Sequence, residues 1–185
     1  MTDANQQKDA NPTTGTASQW LWLSAAIIAI DQLTKWLILQ NFELYETIRI
    51  NAVLNITRLH NTGAAFSFLA DQDGWQRWLF VGLAVVVSGV ILVWLRRLPA
   101  RGHLWLAIAL ALVLGGAIGN VIDRVTHHYV VDFIQVHWEE SYFPTFNVAD
   151  MAISVGAFLL IVDSFFGSGR EQKPSPRAEA EPEKD

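Results

Sequence analysis

Four long apolar runs divide the chain. They cover about residues 20–40, 76–95, 103–122 and 148–166, and their apolar residues are bunched rather than set at the spacing of a water-facing amphipathic helix. A helix built from such a run is apolar on every side. Each run is also close to the roughly 20 residues needed to cross ~30 Å of hydrocarbon. The pattern predicts a membrane all-α bundle of four transmembrane helices. Between the spans the pattern changes: residues 47–50 and 54–59 alternate as short strands do, and 64–70 is apolar enough to lie on a membrane surface. A small β-containing segment beside the bundle is therefore expected within the connections 41–74 and 123–146. Residues 1–19 and 167–185 are polar, contain Pro and hold few large apolar groups, the composition of disordered tails flanking a 20–166 domain.

Composition sharpens this picture. Apolar residues make up 51% of the chain and charged residues 17%, and the eight Trp suit a protein with two bilayer interfaces. The link 96–103 (RRLPARGH) has three Arg and no acid, which retains it on the cytoplasmic side. Both ends of the chain then lie inside as well, leaving 41–74 and 123–146 on the outer face. With this topology eight of the 13 Lys and Arg are inside, four are outside, and Lys35 is within the first span. Trp20, Trp22, Trp94 and Trp105 fall at the inner interface, and Trp75, Trp78 and Trp138 at the outer one. The first apolar run contains Asp31 and Lys35, unlike a cleaved signal peptide, and is expected to remain as a span. No Cys is present, which excludes disulfides, thiolate metal sites and a Cys nucleophile. The net charge of −5 comes largely from the ends, and no basic patch interleaved with aromatics supports nucleic-acid binding.

Ionisable groups in or beside a span need a reason, because each is costly in hydrocarbon. Asn120, Asp123 and Arg124 end the third span, Asp132 follows in ValValAspPhe, and Asn147 and Asp150 open the fourth. Asp132 and Asp150 both fall at the outer interface, on either side of the 134–146 connection. Two acids brought together where water is scarce share a proton, and that is the apparatus of aspartic proteolysis. The ionised acid takes a proton from the attacking water while the neutral one donates to the carbonyl oxygen. Structural readings stand beside this one. Asn147 suits a helix N-cap with Asp150 favoured by the helix dipole, Asp132 suits a solvated loop, and Asp123 suits pairing with Arg124 or a place among headgroups. A carboxylate at a helix N-terminus has its charged form stabilised, so Asp150 is assigned the ionised role and Asp132 the proton. Asp31 and Lys35, spaced i, i+4, share a helix face and read as a structural pair turned toward the bundle. Gly115 and Gly119 form a GxxxG step suited to close helix contact.

Other chemistries fit less well. The five His (60, 103, 127, 128 and 137) include no HExxH, so no metal is expected. Ser24, Ser88 and Ser154 lie in spans without a GxSxG context or a His at matching depth. A proton-coupled transporter would place its acids near the midplane, usually in repeated halves, and no repeat is visible. A non-enzymatic small membrane scaffold or a proton-coupled transporter remains the alternative.

Five blocks now stand together: AspGlnLeuThrLys (31–35), AsnThrGlyAlaAlaPheSer (61–67), GlyAsnValIleAspArg (119–124), ValValAspPhe (130–133) and PheAsnValAlaAsp (146–150). In order and spacing they resemble lipoprotein signal peptidase, also called signal peptidase II, a bacterial inner-membrane aspartic peptidase, over about residues 20–166. The resemblance implies removal of the signal peptide from diacylglyceryl-modified prolipoproteins by cleavage just before the lipidated Cys, at the outer face of the inner membrane. It implies Asp132 and Asp150 as the catalytic pair. Asn61, Gly119, Asn120, Arg124 and Asn147 fall at positions of substrate contact or site support, and Asp31 and Lys35 in the first-span motif. The expected partners are lipidated prolipoproteins and membrane lipids, with a monomeric enzyme and no cofactor. Segment 41–74 with Phe66 and Phe68 is a candidate lid over the site.

Overall fold

The computed structural model describes residues 15–63 and 75–166. Phe66, Phe68, residues 1–14 and residues 167–185 lie outside the described residues. Residues 15–19, expected within the disordered N-terminal tail, are described, and 17–19 begin an ordered turn with Ala17 buried. A single 3-10 turn (Ala17–Trp20) leads into α1 (Leu21–Asn41), followed by the strands β1 (Thr47–Arg49) and β2 (Leu54–Asn61). Then come α2 (Trp75–Arg97), α3 (Leu104–Thr126), β3 (Val130–Trp138), β4 (Ser141–Tyr142) and α4 (Val148–Phe166). All four α-helices are long and apolar enough to cross a membrane. In place of a polar outer face they expose side chains such as Leu83, Val86, Val90 and Phe158, a surface that is stable only against lipid.

Helix α3 is the hub, packed against α1, α2 and α4. Small residues allow this. A Cβ on Gly115 would fall 2.9 Å from the Ser24 carbonyl of α1, one on Gly116 would strike the Ala149 carbonyl of α4, and one on Gly156 would lie 2.8 Å from the Ala109 carbonyl of α3. The GxxxG step thus lies against α1, and its neighbour Gly116 against α4. In the absence of a hydrophobic drive between helices in lipid, close backbone approach is the main source of cohesion. A cluster of Ile91, Leu95, Leu98, Leu110 and Leu114 with Ala17 seals the end of the bundle where α2 finishes and α3 begins.

At the opposite end, an antiparallel sheet of order β1-β2-β3-β4 sits over the tips of the helices. Ile38 of α1 packs with Val131 and Phe133 of β3 beneath it. Arg58 of β2 reaches down and donates to the carbonyls of Phe42 (2.7 Å) and Leu39 (3.5 Å), satisfying acceptors that the end of α1 leaves free. The β2–β3 register shifts between Ile56 and Leu59, after which Leu59, His60 and Asn61 pair with Asp132, Val131 and Val130.

Two sequence expectations are corrected here. The third span runs to Thr126 rather than 122, so the helix continues through Asp123 and Arg124 and the connection is shorter than 123–146. The 134–146 stretch is not a plain connection either, because residues 130–138 form the longest strand of the sheet. A run such as ValValAspPheIleGlnValHisTrp is apolar at its start on both faces, which hides the alternation of a strand.

Candidate active site

Five segments converge where the sheet meets the helix ends. The backbone of Phe146 bonds to β3 through the amides of Phe133 (3.1 Å) and Ile134 (2.8 Å), and its own N–H returns to the Ile134 carbonyl at 3.0 Å. This pins the start of α4 against β3, so Asn147 and Asp150 come to lie beside Asp132. Asn147 and Asp150 form a reciprocal cap: the Asn147 Oδ1 accepts the Asp150 N–H at 2.9 Å, and the Asp150 Oδ2 accepts the Asn147 N–H at 3.3 Å. Two of the orphan donors of a helix start are satisfied in this way.

The same Asn147 serves Asp132. Its Nδ2 donates to Asp132 Oδ1 at 2.7 Å, while Asn61 Nδ2 from β2 donates to Asp132 Oδ2 at 2.9 Å. Asn61 is itself oriented, because its Oδ1 accepts the Gly63 N–H at 2.9 Å; Gly63 has φ +109°, a conformation natural to glycine. On the other side Asn120 of α3 donates through Nδ2 to Asp150 Oδ1 at 2.8 Å. Each acid therefore receives an amide donor on each oxygen. Asp132 is 2% exposed, and burial pushes its carboxyl up to about 6. The charge of Asp150 adds to that rise, while the bonds from Asn61 and Asn147 oppose it.

Behind the acids lies a fully buried ionic centre. Lys35 Nζ is 2.8 Å from Asp31 Oδ2, 3.1 Å from Asp123 Oδ2 and 3.0 Å from Asn120 Oδ1, so all three ammonium hydrogens have acceptors. The bond to Asn120 Oδ1 fixes which way that amide faces and aims its Nδ2 at Asp150. Asp31 Oδ1 accepts the Ala149 N–H of the first turn of α4 at 2.9 Å, and Asp123 Oδ2 accepts the Val131 N–H of β3 at 2.9 Å. The three charges thus fasten α1, α3, β3 and α4 together at the point where the acids stand. Gly119 makes room for this centre: a Cβ there would lie 2.7 Å from Asp31 Oδ2.

The expectation for Asp123 is overturned. It is 1% exposed and pairs with Lys35, not with Arg124 or headgroups, because the extra turn of α3 carries it inward. Sequence reasoning also missed Gln32, whose Nε2 contacts Asp123 Oδ1 (2.9 Å), Asp31 Oδ2 (3.2 Å) and the Gly119 carbonyl (3.2 Å). A polar residue beside two charged ones in a span was the available signal. Arg124 lies at the rim of the site, its Nη1 3.4 Å from the Asn120 carbonyl and its guanidinium 5.3 Å from the centre of the Phe80 ring of α2. Of the span serines, Ser24 Oγ donates to the Ala111 carbonyl at 2.8 Å, and Ser154 is exposed on α4 one turn beyond Asp150.

The sequence profile of signal peptidase (SPase) II matches residues 23–166. This chain belongs to the signal peptidase II family. Membership makes it a protease, and the four spans make it a multi-pass membrane protein. The chain is 57% identical over 148 residues to the lipoprotein signal peptidase of Pseudomonas syringae pv. tomato, covering 79% of this chain and 85% of the relative. It is 51% identical over 158 residues to that of Shewanella pealeana, covering 85% and 91%. A bacterial membrane enzyme solved by the in meso method at 2.3 Å resolution superposes with a TM-score of 0.73 at 25% identity, covering 85% of this chain and 94% of that one. The matched region of the signal peptidase II profile contains every residue of the acid and ion clusters described above.

Proposed function

We propose that this protein is an aspartic endopeptidase that removes the signal peptide from diacylglyceryl-modified prolipoproteins, with Asp132 and Asp150 as its catalytic pair. The bridge made by Asn147 carries this reading. One residue bonds both acids, by side chain and by backbone, and holds them in a fixed mutual arrangement. Their environments also differ. Asp150 sits in the first turn of α4, where the helix dipole favours negative charge. Burial raises the affinity of Asp132 for a proton. Asp150 is then the base that takes a proton from water as its oxygen attacks the scissile carbonyl. Asp132 is the acid that protonates the carbonyl oxygen, and the tetrahedral intermediate collapses as a proton passes to the departing amine. Substrate covering the site removes more water, which favours a neutral Asp132 further.

The substrate class suits the location. A lipidated signal peptide is held in the bilayer by its own apolar segment and acyl chains, so it meets the enzyme by lateral diffusion at the surface where the acids lie. Polar groups at the rim, Arg124 among them, would satisfy peptide groups that lipid leaves unpaired. The basic link 96–103 supports a cytoplasmic position for the opposite end of the bundle, and with it a location of the acids at the outer face of the inner membrane. Gly119, Asn120, Asn147, Asp31 and Lys35 act as supports of the site, and a monomer contains all of them.

The deciding experiment is cleavage of a diacylglyceryl-modified prolipoprotein by the purified protein, with Asp132→Asn and Asp150→Asn compared. Both variants are expected to fold and to lose at least about 10³-fold in turnover. Near-normal activity in either removes that residue from the pair.

A further inference from the structure

A second concave site opens on the sheet, well away from the acids. Asp132 and His137 are five residues apart on β3 and so roughly 17 Å along the strand. Around His137 lies a cleft of about 560 Å³ lined by Arg49 of β1, Trp138 and His137 of β3, Glu139 of the β3–β4 turn and Tyr142 of β4. The peptidase chemistry uses none of these side chains.

Three features of this cleft call for a ligand. Arg49 and Glu139 line it with opposite charges, yet among the described residues the only Lys or Arg ion pairs are those of Lys35 with Asp31 and Asp123. Cation and anion face one space without closing on each other. His137 is 7% exposed, and both of its ring nitrogens are buried without a hydrogen-bond partner among the described residues. A neutral imidazole offers one donor and one acceptor, and leaving both unmet away from water is costly. Finally, Glu139 has φ 51° at the tip of the hairpin, a left-handed conformation usually given to Gly or Asn. Trp138 (71% exposed), Tyr142 (60%) and Phe143 (62%) surround that tip, and aromatic residues of this kind collect at headgroup depth.

We propose that the cleft binds the headgroup of a zwitterionic phospholipid bearing a primary ammonium, of the phosphatidylethanolamine type. The phosphate lies on Arg49, whose planar fork matches phosphate oxygens, with His137 as its second donor. The ammonium lies against Glu139 and the ring faces of Trp138 and Tyr142. A glycerol headgroup lacks the cation for Glu139, and a choline headgroup has no N–H to donate to it. Tyr142 stacks over His137 with ring centres 5.4 Å apart and belongs to a strand of only two residues, so a small shift of β4 uncovers the imidazole. Because β3 carries both His137 and Asp132, a headgroup held here fixes the depth of the acid in the bilayer surface. The proposal stands on the cleft and does not depend on the peptidase chemistry.

The test is native mass spectrometry of the full-length protein released from detergent containing equimolar ethanolamine, choline and glycerol phospholipids with matched acyl chains. Wild type is expected to retain the ethanolamine lipid preferentially. Arg49→Gln and Glu139→Gln are each expected to weaken that retention roughly tenfold, as loss of a charged hydrogen bond does. His137→Phe keeps the ring against Tyr142 and removes two unpartnered nitrogens, so it should weaken retention while its melting temperature stays at or above that of wild type. Equal retention of the three lipids by wild type overturns the proposal, as does unchanged selectivity in both Arg49→Gln and Glu139→Gln. Displacement of the lipid by an equal concentration of soluble phosphoethanolamine overturns its lipid source.

Discussion

Asn147 Nδ2 lies 2.7 Å from Asp132 Oδ1, while the Asn147 Oδ1 accepts the backbone N–H of Asp150 at 2.9 Å. One side chain therefore both caps α4 and orients an acid. Substitution separates the two duties. Asn147→Ala loses the cap, about 1 kcal/mol, and also the donor to Asp132, so turnover should fall on the order of 10²-fold with a lower melting temperature. Asn147→Asp keeps an acceptor for the helix but puts a third acid against Asp132. Its melting temperature should stay closer to wild type than that of the Ala variant, with turnover lost. Equal turnover in Asn147→Asp and wild type would dissociate Asn147 from the acids.

The raised Asp132 carboxyl gives the reaction a pH dependence of known sign. The proposed chemistry needs this group protonated, and burial lifts it to about 6. In the free enzyme kcat/KM should fall about tenfold per unit of pH above that value. A profile that instead rises through pH 6–8 would exchange the roles of the two acids or exclude them.

Stability carries the same signature. The folded protein binds the Asp132 proton more tightly than the unfolded chain does, because its value lies near 6 rather than at 3.8. The stabilising contribution of the proton is therefore complete below about pH 4 and is lost as the pH rises through 6. At neutral pH the ionised, buried group costs about 3 kcal/mol. Asp132→Asn should accordingly melt at or above the wild-type temperature at pH 7, and the gap should shrink toward pH 4. Thermal melts at the two pH values check this.

Lys35 has three acceptors, and removing it leaves Asp31 and Asp123 buried without a counter-charge. Breaking such a centre costs about 3–5 kcal/mol, whereas neutralising all of it together costs much less. Lys35→Met should therefore be poorly folded, and Asp31→Asn/Lys35→Met/Asp123→Asn should recover much of the melting temperature. Turnover should not return with it, since the Asn120 amide that faces Asp150 is no longer oriented.

Glycines provide an internal comparison. A Cβ on Gly119 would meet the Asp31 carboxylate at 2.7 Å, while one on Gly82 of α2 meets nothing within 4 Å. Gly119→Ala should lower stability by about 1–3 kcal/mol. Gly82→Ala should leave it unchanged or raise it by up to about 1 kcal/mol. Equal melting temperatures in the two variants would dismiss the packing role of Gly119.

The sequence by itself determined the solvent of this protein. Apolar runs of spanning length dictate four membrane helices, because an all-round apolar helix has nowhere else to be stable. The polar residues that break those runs, Asp31, Lys35, Asn120, Asp123, Asn147 and Asp150, were legible as candidates for the same reason, since each is too costly in lipid to be incidental. Partners were not legible. Asp31 and Lys35 meet at i, i+4 on one helix, a contact that spacing alone can give. The bonds from Lys35 to Asp123 and from Asn61 to Asp132 cross large separations in sequence. They depend on how far α3 extends and on where the β2–β3 register shifts. Those are matters of packing among elements, and only the tertiary structure decided them.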